Sequence, residues 1–145
     1  MKTVEDILRN PGRAIWSVSP MTTAYEALEV MAEKDVGALL VLENEQLIGI
    51  FSERDYARKV ILKGKASKDT PVSELMTQQV FCVKPNNTLN ECMALMTSKH
   101  IRHLPIFNNN RIAGIITIGD VVKEIISDQE ITIQDLENFI CGEYR

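Results

Sequence analysis

One pattern of apolar and polar residues occurs twice along this chain. Residues 17–61 align with residues 82–126 without a gap when the sequence is shifted by 65 positions. Identical or similar pairs recur throughout, among them Gly49/Gly114, Ser52/Thr117 and Asp55/Asp120. An ungapped match of this length predicts one supersecondary unit that is built twice.

Each copy predicts the element order β-α-β-β-α. A short extended piece ends at a proline, and apolar residues at helical spacing follow it. Thr23 and Thr88 stand at the start of this spacing as N-caps, each with a glutamate three residues later. Two apolar strands joined by a polar turn come next, and the second strand leads into a final helix. The predicted fold class is α+β, with two helices on one face of a small mixed sheet in each copy.

A single unit of 45 residues is too small to bury its own sheet. We therefore expect the two copies to pack face to face with pseudo-twofold symmetry. The predicted division is an N-terminal helical segment over 1–15, repeat 1 over 16–62, a linker with a short helix over 63–79, repeat 2 over 80–127 and a C-terminal helix over 128–145. The linker helix is placed at about 71–76 after a cap at Thr70, and the last helix after a cap at Thr132.

Charge and composition exclude several classes of protein. The net charge of −4 at pH 7 argues against a nucleic-acid binder, which needs a strongly basic face. No apolar run is long enough for a membrane span, and Glu5 and Asp6 stand where a signal peptide needs apolar residues. We therefore expect a cytoplasmic protein without a membrane or nucleic-acid partner.

Cys82, Cys92 and Cys141 show no ligand spacing and are expected to be structural.

The polar residues form no recognisable catalytic set. The chain lacks a P-loop, a GxGxxG motif and a nucleophile with an evident base. His100 and His103 form an H-x-x-H pair, but the pair leads into a strand, where positions i and i+3 face opposite sides. We therefore expect neither a metal site nor an enzyme.

The element order, the doubling and the pattern G-h-h-[ST]-x-x-D (h, apolar) at the end of both copies resemble a tandem pair of CBS domains, the Bateman module. Stand-alone bacterial proteins with two CBS domains are especially similar, and the resemblance covers about residues 16–127. It implies a regulatory homodimer that binds an adenosine-containing ligand (AMP, ADP, ATP, NAD or S-adenosylmethionine) between the repeats. It also implies a partner protein that reads the bound state.

Two interpretations of the repeated S/T-x-x-D motif remain open. Ser52 with Asp55, and Thr117 with Asp120, match a helix-capping pair. The resemblance adds that the aspartate accepts hydrogen bonds from the two ribose hydroxyls, because an ionised carboxylate offers two acceptor oxygens. We favour this second interpretation for Asp120.

The two copies differ in their cations. Arg102 and His103 precede a strand of repeat 2, where the resemblance implies contacts to the nucleotide phosphates, and repeat 1 has no basic residue there. Repeat 1 instead carries Arg54, which is expected either to reach across to the same phosphate or to lie beside Glu53 on a solvated helix face. The two clefts are therefore predicted to be non-equivalent. The resemblance also implies apolar contacts to the adenine, for which the candidates are Cys82, Ile101 and Pro105.

A ligand-free structural or interaction module is the alternative function. In that case the S/T-x-x-D pairs only cap helices, and the cation-poor cleft of repeat 1 favours this view. The candidates for a dimer interface are Met21, Tyr25, Leu75 and Met76.

Overall fold

Two β-α-β-β-α units follow one another in the computed structural model, which describes residues 2–9 and 15–128. Each unit has its own apolar core, and the units face each other, so the α+β prediction with two paired repeats is confirmed. The last predicted helix with its cap at Thr132, and also Cys141, lie outside the described residues.

The first repeat contains a mixed sheet. Helix α1 (Val4–Leu8) precedes it, and the repeat then consists of β1 (Ser17–Val18), α2 (Ala24–Lys34), β2 (Ala38–Glu43), β3 (Gln46–Ser52) and α3 (Glu53–Tyr56). Helix α3 continues as a π-helical segment over Ala57–Ile61. Strand β1 is parallel to β2, and β2 is antiparallel to β3.

The second repeat keeps this order with one reduced strand. Its elements are α4 (Leu89–Lys99), β4 (His103–Asn108), β5 (Arg111–Thr117) and α5 (Ile118–Asp128). Strands β4 and β5 are antiparallel. The strand expected before α4 is present as a single parallel bridge between Val83 and Ile106, at the position where repeat 1 pairs Val18 with Val41.

Both predicted N-caps are confirmed. The hydroxyl of Thr23 accepts a hydrogen bond from Glu26 N at 3.2 Å. The hydroxyl of Thr88 accepts one from Glu91 N at 3.0 Å, and the Glu91 carboxylate accepts one from Thr88 N at 2.8 Å. These bonds satisfy backbone donors that have no partner inside the helix.

The linker differs from its prediction. A 3₁₀ turn over Val72–Glu74 stands where a helix over 71–76 is expected. The hydroxyl of Thr70 does not cap it, because this hydroxyl donates to the carbonyl of Ala66 at 2.7 Å. The turn ends early because Thr77 pairs with Ile50 of β3, with N–H···O distances of 2.8 and 3.0 Å.

Each apolar core is completed by the segment that precedes the other repeat. Val4 and Ile7 of α1 are buried in the core of repeat 2, whereas Val72 and Leu75 of the linker are buried in the core of repeat 1. Backbone hydrogen bonds to the loops before α4 and α2 hold both segments in place. The two repeats are therefore interlocked.

This exchange explains the repeated glycine. A Cβ atom on Gly49 would lie 2.5 Å from Met76 Sδ, and one on Gly114 would lie 3.2 Å from Leu8 Cδ2. Glycine in a strand indicates a close approach, and here the approaching group is a side chain of the exchanged segment.

The same packing changes the candidates for a dimer interface. Leu75 is fully buried in the core, and Met76 packs against that core, so neither residue offers the exposed apolar surface that was expected. Met21 and Tyr25 are 75% and 42% exposed.

Candidate functional site

A cavity of about 230 Å³ lies between the two repeats. Its lining comes from the start of α3, from the linker and from the residues that enter β4. The apolar part of the lining consists of Ile50, Val80, Phe81 and Ile101. The remaining lining is mostly polar, and it combines both signs of charge.

Asp55 is a carboxylate of this cavity and is only 9% exposed. Its Oδ2 accepts hydrogen bonds from Ser52 N at 3.0 Å and from Ser52 Oγ at 3.1 Å, which is the predicted cap of α3. Its Oδ1 accepts one from Thr77 Oγ1 at 3.2 Å and lies 3.2 Å from Lys59 Nζ. Three hydrogen-bond donors and one ion pair therefore hold this carboxylate in a fixed orientation.

Arg54 crosses from repeat 1 to repeat 2. Its guanidinium donates to the carbonyl oxygen of His100 at 2.7 Å. His100 is the left-handed residue that ends α4 (φ 56°), where backbone carbonyls lack partners within the helix. The structure therefore places Arg54 across the interface, at the cavity, with its side chain exposed to solvent.

Arg102 and His103 lie at the entrance to β4 and also line the cavity. The ring atom His103 Nε2 is 3.6 Å from the position that a Cβ on Gly37 would take, which is an ordinary van der Waals distance, so the imidazole packs beside Gly37. Burial lowers the pKa of His103 below its usual 6.5, and the charges of Arg102 and Arg54 lower it further, while Asp120 opposes them. His103 is therefore neutral at pH 7.

The structure brings six of the ten candidate residues together, and these are Ser52, Arg54, Asp55, Ile101, Arg102 and His103. Thr117 and Asp120 are not among the lining residues, although Thr117 pairs with His103 across β4 and β5. They cap α5, with Thr117 N to Asp120 Oδ2 at 2.9 Å and Asp120 N to Thr117 Oγ1 at 3.1 Å. The cations of repeat 2 thus share a cavity with the carboxylate of repeat 1.

The other two candidates do not line this cavity either. Pro105 is buried within β4, opposite Ile115 of β5. Cys82 is exposed, although partial desolvation raises the pKa of its thiol, which therefore stays protonated at neutral pH.

Sequence reasoning missed several lining residues of the cavity, namely Thr77 and Gln79 of the predicted linker and Val80 and Phe81 at the start of repeat 2. The sequence carried a usable signal for Phe81, because Trp16 and Phe81 are both aromatic and stand 65 positions apart. Lys99 lies 5.1 Å from the ring centroid of Phe81, and Lys34 lies 4.5 Å from that of Trp16, at the same shift of 65 positions. The repeat therefore extends one residue further towards the N-terminus than the aligned segment.

Two further findings concern metals and membranes. Within residues 2–9 and 15–128, no group of three or more His, Cys, Asp or Glu residues is placed to hold a metal ion. Among the helices of these same ranges, none has the length and apolar character needed to cross a membrane.

Comparison with known proteins identifies the family. The CBS domain family matches residues 4–62 and 72–127. The CBS domain-containing protein CBSX3, mitochondrial, of Arabidopsis thaliana is 34% identical over 152 residues, which span 98% of this chain and 73% of that protein.

Solved structures agree with this match. A protein with CBS domains from Burkholderia ambifaria MC40-6 superposes with a TM-score of 0.86 and 47% identity, over 91% of this chain and 99% of that one. CBSX2, solved in complex with AMP, has a TM-score of 0.72 and 28% identity, over 89% and 99% of the two chains. The chain therefore belongs to the CBS domain family and contains a tandem pair of these domains.

Proposed function

We propose that this protein is a regulatory module that binds an adenosine mononucleotide in the cavity between its two CBS domains and signals the bound state to a partner protein. The observation that carries the proposal is the convergence of cations from both repeats on one cavity, beside an apolar wall. The related protein CBSX2 was solved with AMP. A cytoplasmic homodimer without catalytic turnover is part of the proposal.

The charges of the cavity suit a phosphate. Arg54 and Arg102 belong to different repeats, and both line the cavity. A phosphate bound by both would make charge-assisted hydrogen bonds and would bridge the repeats. Bridging is what a sensor requires, because a ligand shifts an equilibrium only through a difference in its contacts with the two states.

The remaining lining suits a purine nucleoside. Phe81 with Ile50, Val80 and Ile101 supplies an apolar and partly aromatic surface for adenine. Asp55 is the aspartate that shares the cavity with the cations, so we assign the ribose contact to Asp55 rather than to Asp120. The volume of about 230 Å³ lies below the ~300–1,000 Å³ of pockets for drug-sized ligands, which favours a mononucleotide over the dinucleotide NAD.

Titration calorimetry with AMP, ADP, ATP and NAD tests the proposal. Arg102→Ala should weaken AMP binding by about 1.5–3 kcal/mol, because it removes a hydrogen bond to a charged group. The matched control is Arg111→Ala, which removes an exposed arginine at the turn end of β5 and should bind AMP like the wild type. If none of the four compounds binds at millimolar concentration, the proposal is wrong.

One observation favours the alternative of a ligand-free interaction module. The carboxylate of Asp55 is already bound by donors of the protein itself, as a purely structural cap would be. In that case Asp55→Ala lowers the free energy of unfolding and no nucleotide changes the melting temperature of the wild type. A rise in melting temperature with AMP that Arg102→Ala removes rejects the alternative.

A further inference from the structure

The proposed ribose contact must compete with groups of the protein itself, and the inference below rests on the proposed function. An ionised carboxylate has about four lone-pair sites. At Asp55, hydrogen bonds from Ser52 N, Ser52 Oγ and Thr77 Oγ1 use three of them, and the ammonium of Lys59 forms an ion pair with Oδ1 at 3.2 Å. A ribose hydroxyl can therefore reach Asp55 only by replacing one of these donors.

Thr77 is the donor that a ligand can replace. The two donors of Ser52 belong to the cap that starts α3, and Ser52 Oγ also accepts from Asp55 N at 3.1 Å. Lys59 Nζ is held by a second bond, to the carbonyl of Leu75 at 2.9 Å. Thr77, in contrast, lines the cavity, and its hydroxyl leaves the carboxylate by rotation about χ1.

The backbone at Thr77 does not have to move when the side chain rotates. Its N–H and C=O are both paired with Ile50 of β3, at 2.8 and 3.0 Å. Met76, the preceding residue, packs over Gly49 of the same strand. The exchange of one hydroxyl for another is therefore a local side-chain event in a fixed frame.

We propose that the hydroxyl of Thr77 competes with a ribose hydroxyl for Oδ1 of Asp55, and that Thr77 is thereby an affinity-determining residue of the nucleotide site. Because only the Oδ1 position is exchangeable, Asp55 accepts one ribose hydroxyl. This differs from the family resemblance, which implies that the aspartate accepts hydrogen bonds from both ribose hydroxyls. The cavity then favours nucleotides that retain this hydroxyl over dideoxy analogues.

The test is Thr77→Val, which replaces the hydroxyl with a methyl group of similar volume. AMP should bind about 2- to 10-fold more tightly to this variant, the range expected for one net hydrogen bond. The affinity for 2′,3′-dideoxy-AMP should stay unchanged, because this analogue cannot use the carboxylate. The control is Thr97→Val on the exposed face of α4, which makes the same substitution away from the cavity and should bind AMP like the wild type.

Three results would overturn the proposal. Weaker AMP binding by Thr77→Val would show that the Thr77 hydroxyl donates to the ligand. If the affinity for AMP and that for the dideoxy analogue rise equally, or if neither rises, the Thr77 hydroxyl does not compete with a ribose hydroxyl. Failure of the wild type to bind any adenosine compound would reject the proposed function itself, and this inference with it. If Thr77→Val folds poorly, Thr77→Ala removes the same hydroxyl with less bulk and is read in the same way.

Discussion

Asp55 and Asp120 hold equivalent positions in the two repeats, yet their surroundings have diverged. Each accepts a hydrogen bond from the backbone N–H of the hydroxyl residue that caps its helix. Asp55 also pairs with Lys59, one helical turn later. The position equivalent to Lys59 in repeat 2 is Glu124, which instead pairs with Lys2 at 2.8 Å. The residue one helical turn after the capping aspartate therefore pairs with that aspartate in repeat 1 and with the N-terminal segment in repeat 2.

The cations show the same divergence. The counterpart of Arg54 in repeat 2 is Gly119, and the counterpart of Arg102 in repeat 1 is Gly37. Because the repeats face each other, Arg54 and Arg102 meet in one cavity although they occupy different positions within the repeat. Duplication therefore supplies the geometry of the site, and substitutions such as Gly37 opposite Arg102 and Gly119 opposite Arg54 in the alignment make the two repeats contribute different residues.

The largest predicted effect concerns the exchanged segments, which are α1 and the 3₁₀ turn of the linker. Each of them completes the core of one repeat. Leu75→Ala and Ile7→Ala should each lower the free energy of unfolding by about 2–5 kcal/mol, because both side chains are at most 1% exposed in the core of a repeat. Urea denaturation measures the change. Leu62→Ala, at a leucine that is 78% exposed, is the control and should be nearly neutral. If Leu75→Ala is as mild as this control, the interlocked packing is wrong.

Local features of both repeats could be predicted from the sequence because their causes are local. Helix caps such as Thr23 and Thr88, strand pairing and turns depend on residues within a few positions of each other. The exchanged segments escaped detection for a specific reason. They match each other as Val4/Val72 and Ile7/Leu75, at a shift of 68 positions rather than 65. An ungapped comparison at 65 therefore cannot reveal that each segment belongs to the other repeat's core.

The candidate site was predictable in its residue types and in part of its grouping. The sequence predicted that Arg54 could reach across to the phosphate site of Arg102 and His103, but it favoured Asp120 over Asp55 for the ribose contact. The structure places these three basic residues with Asp55 in the cavity between the copies. Such a combination depends on how two units pack, and periodicity within a unit carries no information about it. The contact of Thr77 with Asp55 likewise depends on the path of the linker, which lies outside the segments aligned at the shift of 65.

His103 allows a second test of the difference between the repeats, because its counterpart in repeat 1 is Ala38. Burial, Arg102 and Arg54 lower the pKa of His103 in the folded state, against the opposing charge of Asp120. Between this lowered pKa and the usual 6.5, the unfolded chain binds the proton more readily than the folded one. The stability that His103 contributes is therefore present above that window and is lost as the pH falls through it.

His103→Gln should consequently lose less stability than the wild type on acidification from about pH 7 to about pH 5. Urea denaturation at several pH values measures the two slopes. His100→Gln is the matched control, because His100 is an exposed histidine three residues away, and it should keep the wild-type slope. Equal slopes for His103→Gln and the wild type would contradict the burial of a neutral imidazole between the repeats.

The smallest predicted effect lies in the two hairpin turns, which differ by one residue. Asn44 and Glu45 join β2 to β3 with φ of 52° and 67°, and Asn109 and Asn110 join β4 to β5 with φ of 53° and 62°. Asparagine tolerates the left-handed region, whereas other L-residues pay about 1–2 kcal/mol there. Glu45→Asn should therefore stabilise the protein by up to about 1 kcal/mol, as measured by urea denaturation.

The reciprocal change, Asn110→Glu, is the control that isolates the backbone. If the left-handed φ is the cause, the two substitutions should change the free energy of unfolding by similar amounts with opposite signs, because the two turns share one geometry. Destabilisation by both would mean that contacts of each side chain outweigh backbone strain. The two repeats would then differ in their turns for the same reason as in their clefts, through side chains placed on a common backbone.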